Sequence, residues 1–356
     1  MTTILICAGG TGGHVIPALS VAQELQQQHC QVHWLGTQRG IEARLVPPTG
    51  IPLHWIRVQG LRGKGILSWL LAPYKVAVAL WDAATALRQV KPNVVLGMGG
   101  FVAGPGGLMA KLFGIPLVIH EQNAKPGLTN RFLSRLANVV TAAFASSFGA
   151  GRAVVVGNPV RQSIRSLPSK AAPSQARLNV LVFGGSQGAA ILNRLMPDAM
   201  AKLAAAVRPH IRHQCGRNRA NGVRDSYKAL GLEADACEFI DDMAAAYQWA
   251  DLVIARAGAL TVSELAVAGV PAILIPFPAA VDDHQTANAL WLVRLGGALL
   301  LPETELTIDR LADTIQNLIQ TPASLQALRI VASGQVPLNA QERLAELCLA
   351  QARGGL

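Results

Sequence analysis

The chain has 356 residues, enough for two domains, and 51% of them are apolar, which excludes a disordered polymer. Its formal charge is +10, unevenly spread: residues 1–160 hold 13 Lys and Arg against 4 Asp and Glu, whereas residues 161–356 hold 18 against 17. A basic half points to nucleic acid or an anionic membrane surface more than to a small substrate.

Five scattered cysteines (Cys7, Cys30, Cys215, Cys237, Cys348), an odd number without a C-x-x-C, read as reduced and mostly buried thiols of a cytosolic protein. The opening residues lack a charged n-region and a cleavage site and run straight into a strand. No apolar run is long enough to span a bilayer: 266–281 is broken by Pro271, Pro276 and Pro278, and the run around Trp69 by Pro73 and Lys75.

In chain order, residues 3–7 (TILIC) predict a strand, 9–14 (GGTGGH) a glycine loop, and 15–28 a helix. Further strands are expected at 31–35, 94–97, 116–120, 139–142 and 154–156, with a helix over 106–113. A Ser/Pro/Lys/Ala-rich stretch at 163–175 reads as a linker. The second half then repeats the opening: strand 179–183 (NVLVF), glycine turn 184–189 (GGSQGA) and a helix. Strands near 211–214, 238–240, 251–255 and 272–275 follow, and residues 340–353 form a helical tail that could pack back on the first domain. Alternating strand and helix predicts parallel sheets, giving an α/β protein of two doubly wound Rossmann-like domains, 1–160 and 161–356, facing a cleft.

The glycine turns are not dinucleotide fingerprints. Neither has G-x-G-x-x-G spacing, and the second strand ends at Gly36 rather than at an acid. Nor is there the Gly-Lys-[Ser/Thr] of a Walker loop. What remains is glycine backbone brought near a charged or sugar-bearing ligand, or else tight helix–strand packing. A third glycine run, 97–107 (GMGGFVAGPGG), again follows a strand.

His14 closes the first glycine loop at the sheet edge where ligands bind, and an imidazole there can take a proton from a hydroxyl near neutral pH. It also suits a cap-like role. His120, Glu121 and Asn123 end a strand of the same domain and are expected to face the same cleft.

In the second half, residues 255–264 (ARAGALTVSE) leave a strand and open a helix. A helix start favours phosphate, and Arg256 adds a cation. Glu264, further in, suits ribose hydroxyls; the plain alternative is a capped helix with a solvated Glu. In 282–288 (DDHQTAN), Gln285 and Asn288 are amides able to read sugar hydroxyls. A metal at Asp282, Asp283 and His284 ranks low, because hard cations need several convergent oxygens.

Basic residues interleaved with Trp and Leu over 60–91 (Arg62, Lys64, Ile66, Leu67, Trp69, Leu70, Leu71, Lys75, Trp81, Arg88, Lys91) suit an interfacial segment on anionic lipid. A core helix with a basic solvent face fits the segment as well. Nucleic acid is the rival partner, but aromatics are few and no reading motif appears, so no nucleic acid is expected.

GGTGGH, GMGGFVAGPGG, HEQN, GNPVR, GGSQG, FIDDM and ARAGALTVSE, in that order from Thr3 to about Asn288, resemble the MurG family. These bacterial transferases add N-acetylglucosamine to the lipid-linked muramyl-pentapeptide precursor of peptidoglycan. The resemblance implies the glycosyltransferase B fold, with UDP-N-acetylglucosamine held mainly by the second domain. It also implies inversion without a covalent intermediate. Positive helix ends and backbone N–H groups can stabilise the leaving charge, so no metal or cofactor is expected, and the acceptor is expected at the cytoplasmic side of the membrane. On that resemblance Thr11, Gly12, Gly13 and Asn123 approach the donor from the first domain, and Arg161 and Ser186 neighbour the diphosphate. The Ile240 backbone reads uracil. Ala259, Leu260, Thr261, Val262, Ser263 and Glu264 hold phosphate and ribose, and Gln285 contacts the amino sugar. His14 is the candidate base and Glu121 the runner-up. His284 stands where the family commonly has Gln, and Ala257 where Ser is frequent, which weakens the hexosamine preference more than the UDP assignment. A UDP-sugar 2-epimerase and a non-catalytic nucleotide-sugar-binding membrane module fit the same architecture.

Overall fold

The computed structural model of the protein describes residues 1–58, 72–149, 151–169, 177–185, 188–329 and 336–354. The chain divides into two compact units, Met1–Arg161 with Asn339–Leu356, and Gln162–Leu338.

The longer elements of the first unit are β1 (Thr3–Cys7), α1 (Gly12–Gln27), β2 (Gln31–Gly36), β3 (Leu53–Trp55), α2 (Ala72–Val90), β4 (Val94–Gly97), α3 (Gly100–Leu112), β5 (Leu117–Glu121), α4 (Leu128–Leu133), β6 (Val139–Ala142) and β7 (Val154–Val155). Its sheet runs β3-β2-β1-β4-β5-β6-β7, and every pairing is parallel. The second unit comprises β8 (Asn179–Phe183), α5 (Ala190–Lys202), β9 (His210–Gln214), α6 (Ala220–Ala229), β10 (Asp235–Cys237), α7 (Met243–Trp249), β11 (Leu252–Ala255), α8 (Ala259–Ala268), β12 (Ala272–Leu274), α9 (His284–Arg294), β13 (Ala298–Leu300) and α10 (Ile308–Gln320). Its sheet order, β10-β9-β8-β11-β12-β13, is the same doubly wound pattern, again all parallel.

Parallel strands are covered on both faces, which is why they read as unbroken apolar runs. In β1, Ile4 and Ile6 face one core, with Val15, Ala18 and Leu25 of α1. Leu5 and Cys7 face the other, with Ala83 and Leu87 of α2 and Val102 of α3. The last helix, α11 (Ala340–Ala352), completes the α1 side, because Leu344, Ala345 and Cys348 are fully buried in that core. One leucine buried this way stabilises by roughly 1.5–3 kcal/mol. All five cysteines are unpaired, and burial pushes the thiols of Cys7, Cys215 and Cys348 up to about 12, leaving them inert.

Several expected boundaries move. The strand expected at 238–240 lies at Asp235–Cys237, because pairing with β9 stops at Cys237 opposite Gln214. Beyond it the Glu238 carbonyl and carboxylate accept from Gln214 and Asn218 instead. The first glycine loop is shorter than expected, as α1 already begins at Gly12. Most of the run 97–107 is helical, within α3, where its glycines serve close packing: a side chain on Gly100 would strike the carbonyl of Gly9, and φ there is +76°. Gly188 of the second turn packs in the same manner against the Cys215 backbone. The expected linker lies partly outside the described residues, as do Arg62, Lys64, Ile66, Leu67, Trp69, Leu70 and Leu71 of the basic–aromatic stretch.

Candidate active site

Doubly wound sheets offer their binding edge where the strand order reverses, beyond the carboxyl ends of the strands. In the first unit that point lies between β1 and β4. The turn after β1 carries Thr11, Gly12, Gly13 and His14, the turn after β4 carries Gly99, and β5 ends in Glu121 followed by Gln122 and Asn123. Thr11 is the N-cap of α1, with extended backbone and no side-chain capping bond. Its carbonyl accepts from the N–H groups of His14 and Val15, so those of Gly12 and Gly13 are left over at the helix start.

The half-buried His14 ring is held from behind: its Nδ1 lies 3.0 Å from Gln122 Oε1, and Gln122 Nε2 donates to the Met98 carbonyl at 2.9 Å. Glu121 is buried and saturated. One oxygen accepts from the backbone N–H and the side-chain amide of Asn123, the other from Gly127 N–H and the Asn130 amide. It therefore organises the loop 122–127, and Asn123 turns its amide nitrogen inward to it. His120 is buried too. Its ring Nδ1 lies 3.0 Å from the Thr141 hydroxyl, and burial lowers its pKa to about 4, despite an opposing contribution from Asn158, so it stays neutral.

Glu42 escaped the sequence reading. It is fully buried six residues past Gly36 and accepts from Gly10 N–H (2.9 Å), Thr37 N–H (2.8 Å) and the Thr37 hydroxyl (2.7 Å), pinning the first glycine loop. Gln122 was passed over as well, being an uncharged amide between more reactive neighbours. A signal for Glu42 existed: residues 1–160 hold only four acids, so each one needs a reason.

In the second unit the corresponding reversal lies between β8 and β11, and α8 starts directly after β11 with Gly258 as its N-cap. Val262 N–H bonds back to the Gly258 carbonyl, so the N–H groups of Ala259, Leu260 and Thr261 form the anion-attracting end. The other residues of the expected six differ in exposure and bonding. Val262 is fully buried, and the buried Ser263 hydroxyl donates to the Ala259 carbonyl of its own helix. Glu264 is 3% exposed and its Oε2 accepts from the Tyr247 hydroxyl of α7 at 3.1 Å, so it is not the solvated Glu of the plain alternative.

Arg256 does not supply the expected cation. Its guanidinium donates to the carbonyls of Ile275 and Pro276, pairs with Glu303 and lies over the Phe277 ring. The strand exit it braces leads to Gln285, whose side-chain oxygen accepts from Phe277 N–H at 2.9 Å. Asn288, expected to read hydroxyls, is fully buried and donates to the Ala257 carbonyl, fixing the peptide that precedes the N-cap. Ile240 is half-buried in the loop between β10 and α7, Arg161 is the last residue of the first unit's long segment, and Ser186 lies outside the described residues. Among the described residues no cluster of His, Cys, Asp and Glu has the arrangement of a metal site.

Two doubly wound parallel units thus carry an imidazole at the binding edge of one and an anion-attracting helix end at that of the other. Residues 4–142 match the N-terminal domain of glycosyltransferase family 28, and residues 179–342 match its C-terminal domain. The chain is 52% identical, over 98% of its length and 97% of the relative's, to the UDP-N-acetylglucosamine--N-acetylmuramyl-(pentapeptide) pyrophosphoryl-undecaprenol N-acetylglucosamine transferase of Chromohalobacter salexigens. The crystal structure of Acinetobacter baumannii MurG superposes with a TM-score of 0.81 at 41% identity, covering 98% of this chain and 99% of that one. A UDP-GlcNAc 2-epimerase from Neisseria meningitidis, 14% identical with a TM-score of 0.67 over 98% of this chain and 100% of its own, shares the fold alone. The chain belongs to the MurG family of glycosyltransferases.

Proposed function

We propose that the chain moves N-acetylglucosamine from UDP-N-acetylglucosamine to the muramyl 4-hydroxyl of undecaprenyl-pyrophosphoryl-MurNAc-pentapeptide, with inversion. Full-length identity to transferases bearing that activity in their name carries the reading. The acceptor oxygen forms a bond to the anomeric carbon as the bond from that carbon to the β-phosphate oxygen breaks. The electron pair leaves with UDP and the hydroxyl proton passes to His14. The N–H groups of Ala259, Leu260 and Thr261 stabilise the departing diphosphate, and Glu264 accepts from the ribose hydroxyls. Glu121 is the weaker base, since its oxygens already accept four hydrogen bonds. Incubation with UDP-N-acetylglucosamine and a lipid-linked muramyl peptide should release UDP and form the disaccharide. Donor turned over to its C2 epimer without acceptor would instead support the epimerase.

The acceptor is met, in this reading, at an anionic membrane surface on the cytoplasmic side. Among the described residues no helix is long and apolar enough to cross a bilayer. Yet α2, α3 and α4, which pack side by side, expose Tyr74, Trp81, Leu112 and Phe132, with Lys75, Lys111 and Arg131 on the same helices. The chain should sediment with anionic vesicles more than with neutral ones; equal pelleting removes the electrostatic part.

A further inference from the structure

We infer that Gln122 is a positioning residue that holds His14 in the Nδ1–H tautomer and so leaves the Nε2 lone pair to take the acceptor's proton. This rests on reading His14 as the base. The direction of the Gln122 amide is fixed chemically. The Met98 carbonyl can only accept, so the group 2.9 Å from it must be the NH₂ of Gln122. Exchanging the amide's oxygen and nitrogen would set two oxygens against each other there. The amide oxygen therefore faces His14 Nδ1, 3.0 Å away, and that nitrogen must donate. A neutral imidazole has one N–H, so Nε2 is the acceptor. Among the described residues nothing bonds Nε2.

The surroundings leave the pair little room. Gln122 is 1% exposed, and the ring rests against Gly99, where φ is +87° and a side chain would come within 2.9 Å of Nδ1. The partner's neutrality matters as much as its direction. A carboxylate in its place would stabilise the imidazolium and keep the base protonated to higher pH, whereas an amide orients the ring without that charge. Once Nε2 has taken the proton, the Nδ1–H bond to Gln122 persists.

Nitrogen-15 NMR of histidine-labelled protein, free of substrates, should show His14 with a protonated Nδ1 and an unprotonated Nε2. In Gln122→Met that signature should be lost, and kcat should fall about 10–100-fold, part of the range general bases supply, with KM for UDP-N-acetylglucosamine unchanged. Gln122→Glu keeps an oxygen facing His14, while its other oxygen must hold a proton against the Met98 carbonyl, so Nδ1 should stay protonated and kcat should fall less than in Gln122→Met. It also serves if the methionine variant fails to fold. An unprotonated Nδ1 in the wild type or in Gln122→Glu overturns the proposal. The two readings fail separately. A fully active His14→Ala alongside a Gln122-dependent signature removes the base but keeps the pairing. An inactive His14→Ala beside a Gln122→Met that keeps signature and kcat removes the positioning role alone.

Discussion

The two units share a strand order and both set glycine at a helix start, Gly12 as the first residue of α1 and Gly258 as the N-cap of α8, where that order reverses, yet they dress the helix end differently. On α1 the third residue is His14, and the loop before it is anchored by a buried carboxylate, Glu42. On α8 the first turn has no acid, and the carboxylate of Glu264 arrives only at the sixth residue, buried against Tyr247. An acid in the first turn would compete with phosphate for the same N–H groups; half a turn deeper it can meet a ribose instead. In the proposed reading one backbone device serves proton transfer in one unit and anion binding in the other, and the side chain within two turns of the cap decides which.

The sharpest way to break that division is His14→Ala. Turnover should drop by about 10²–10⁴-fold while UDP binding, measured by calorimetry, persists. Turnover near wild type would strip the first unit of its chemical part. A second contrast concerns acid. Each unit buries one neutral histidine: His120 beside Thr141, and His213 with its Nδ1 3.1 Å from the Tyr227 hydroxyl. Burial lowers both to about 4 from the ordinary 6.5. Unfolding frees each to bind a proton below 6.5, so their penalty is absent above that pH and grows as the pH falls toward 4. There it reaches about 3 kcal/mol for each group. Urea midpoints should therefore decline from pH 6.5 to 4.5 in both units, and a flat midpoint over that window contradicts it.

Much of this was legible in the residues because parallel strands announce themselves. ILIC, VVLG and LVIA are buried on both faces, and their apolar runs are too short for helices. The three-residue strands Leu53–Trp55 and Ala298–Leu300 leave no such trace; they exist because a neighbour's edge is there to pair with. Glycine misled in the run 97–107, since a residue with poor helix propensity enters a helix when packing demands backbone contact. Arg256 misled for another reason. Sequence puts its charge beside the α8 terminus, but a long side chain can reach past it, and two carbonyls with Glu303 draw it to the strand exit. The roles of Glu42 and Gln122 depend on contacts across 32 and 108 positions, which no local pattern encodes.

On the second unit's side the effects should be smaller. Glu264→Gln keeps the shape but removes the charge from the ribose acceptor, so KM for the donor should rise about tenfold with little change in kcat. An unchanged KM would detach Glu264 from the donor. Tyr247→Phe tests the next layer. The ring stays in place, edge-on to Phe183 with centroids 6.2 Å apart, and only the hydroxyl donating to Glu264 is lost. A single hydrogen bond of this kind contributes about 1 kcal/mol, so the donor KM should rise roughly fivefold. In the Glu264→Gln background the same change should add much less, because the bond it removes has already lost its charged partner. If the two substitutions multiply as independent changes, the tyrosine acts on the fold and not through the glutamate.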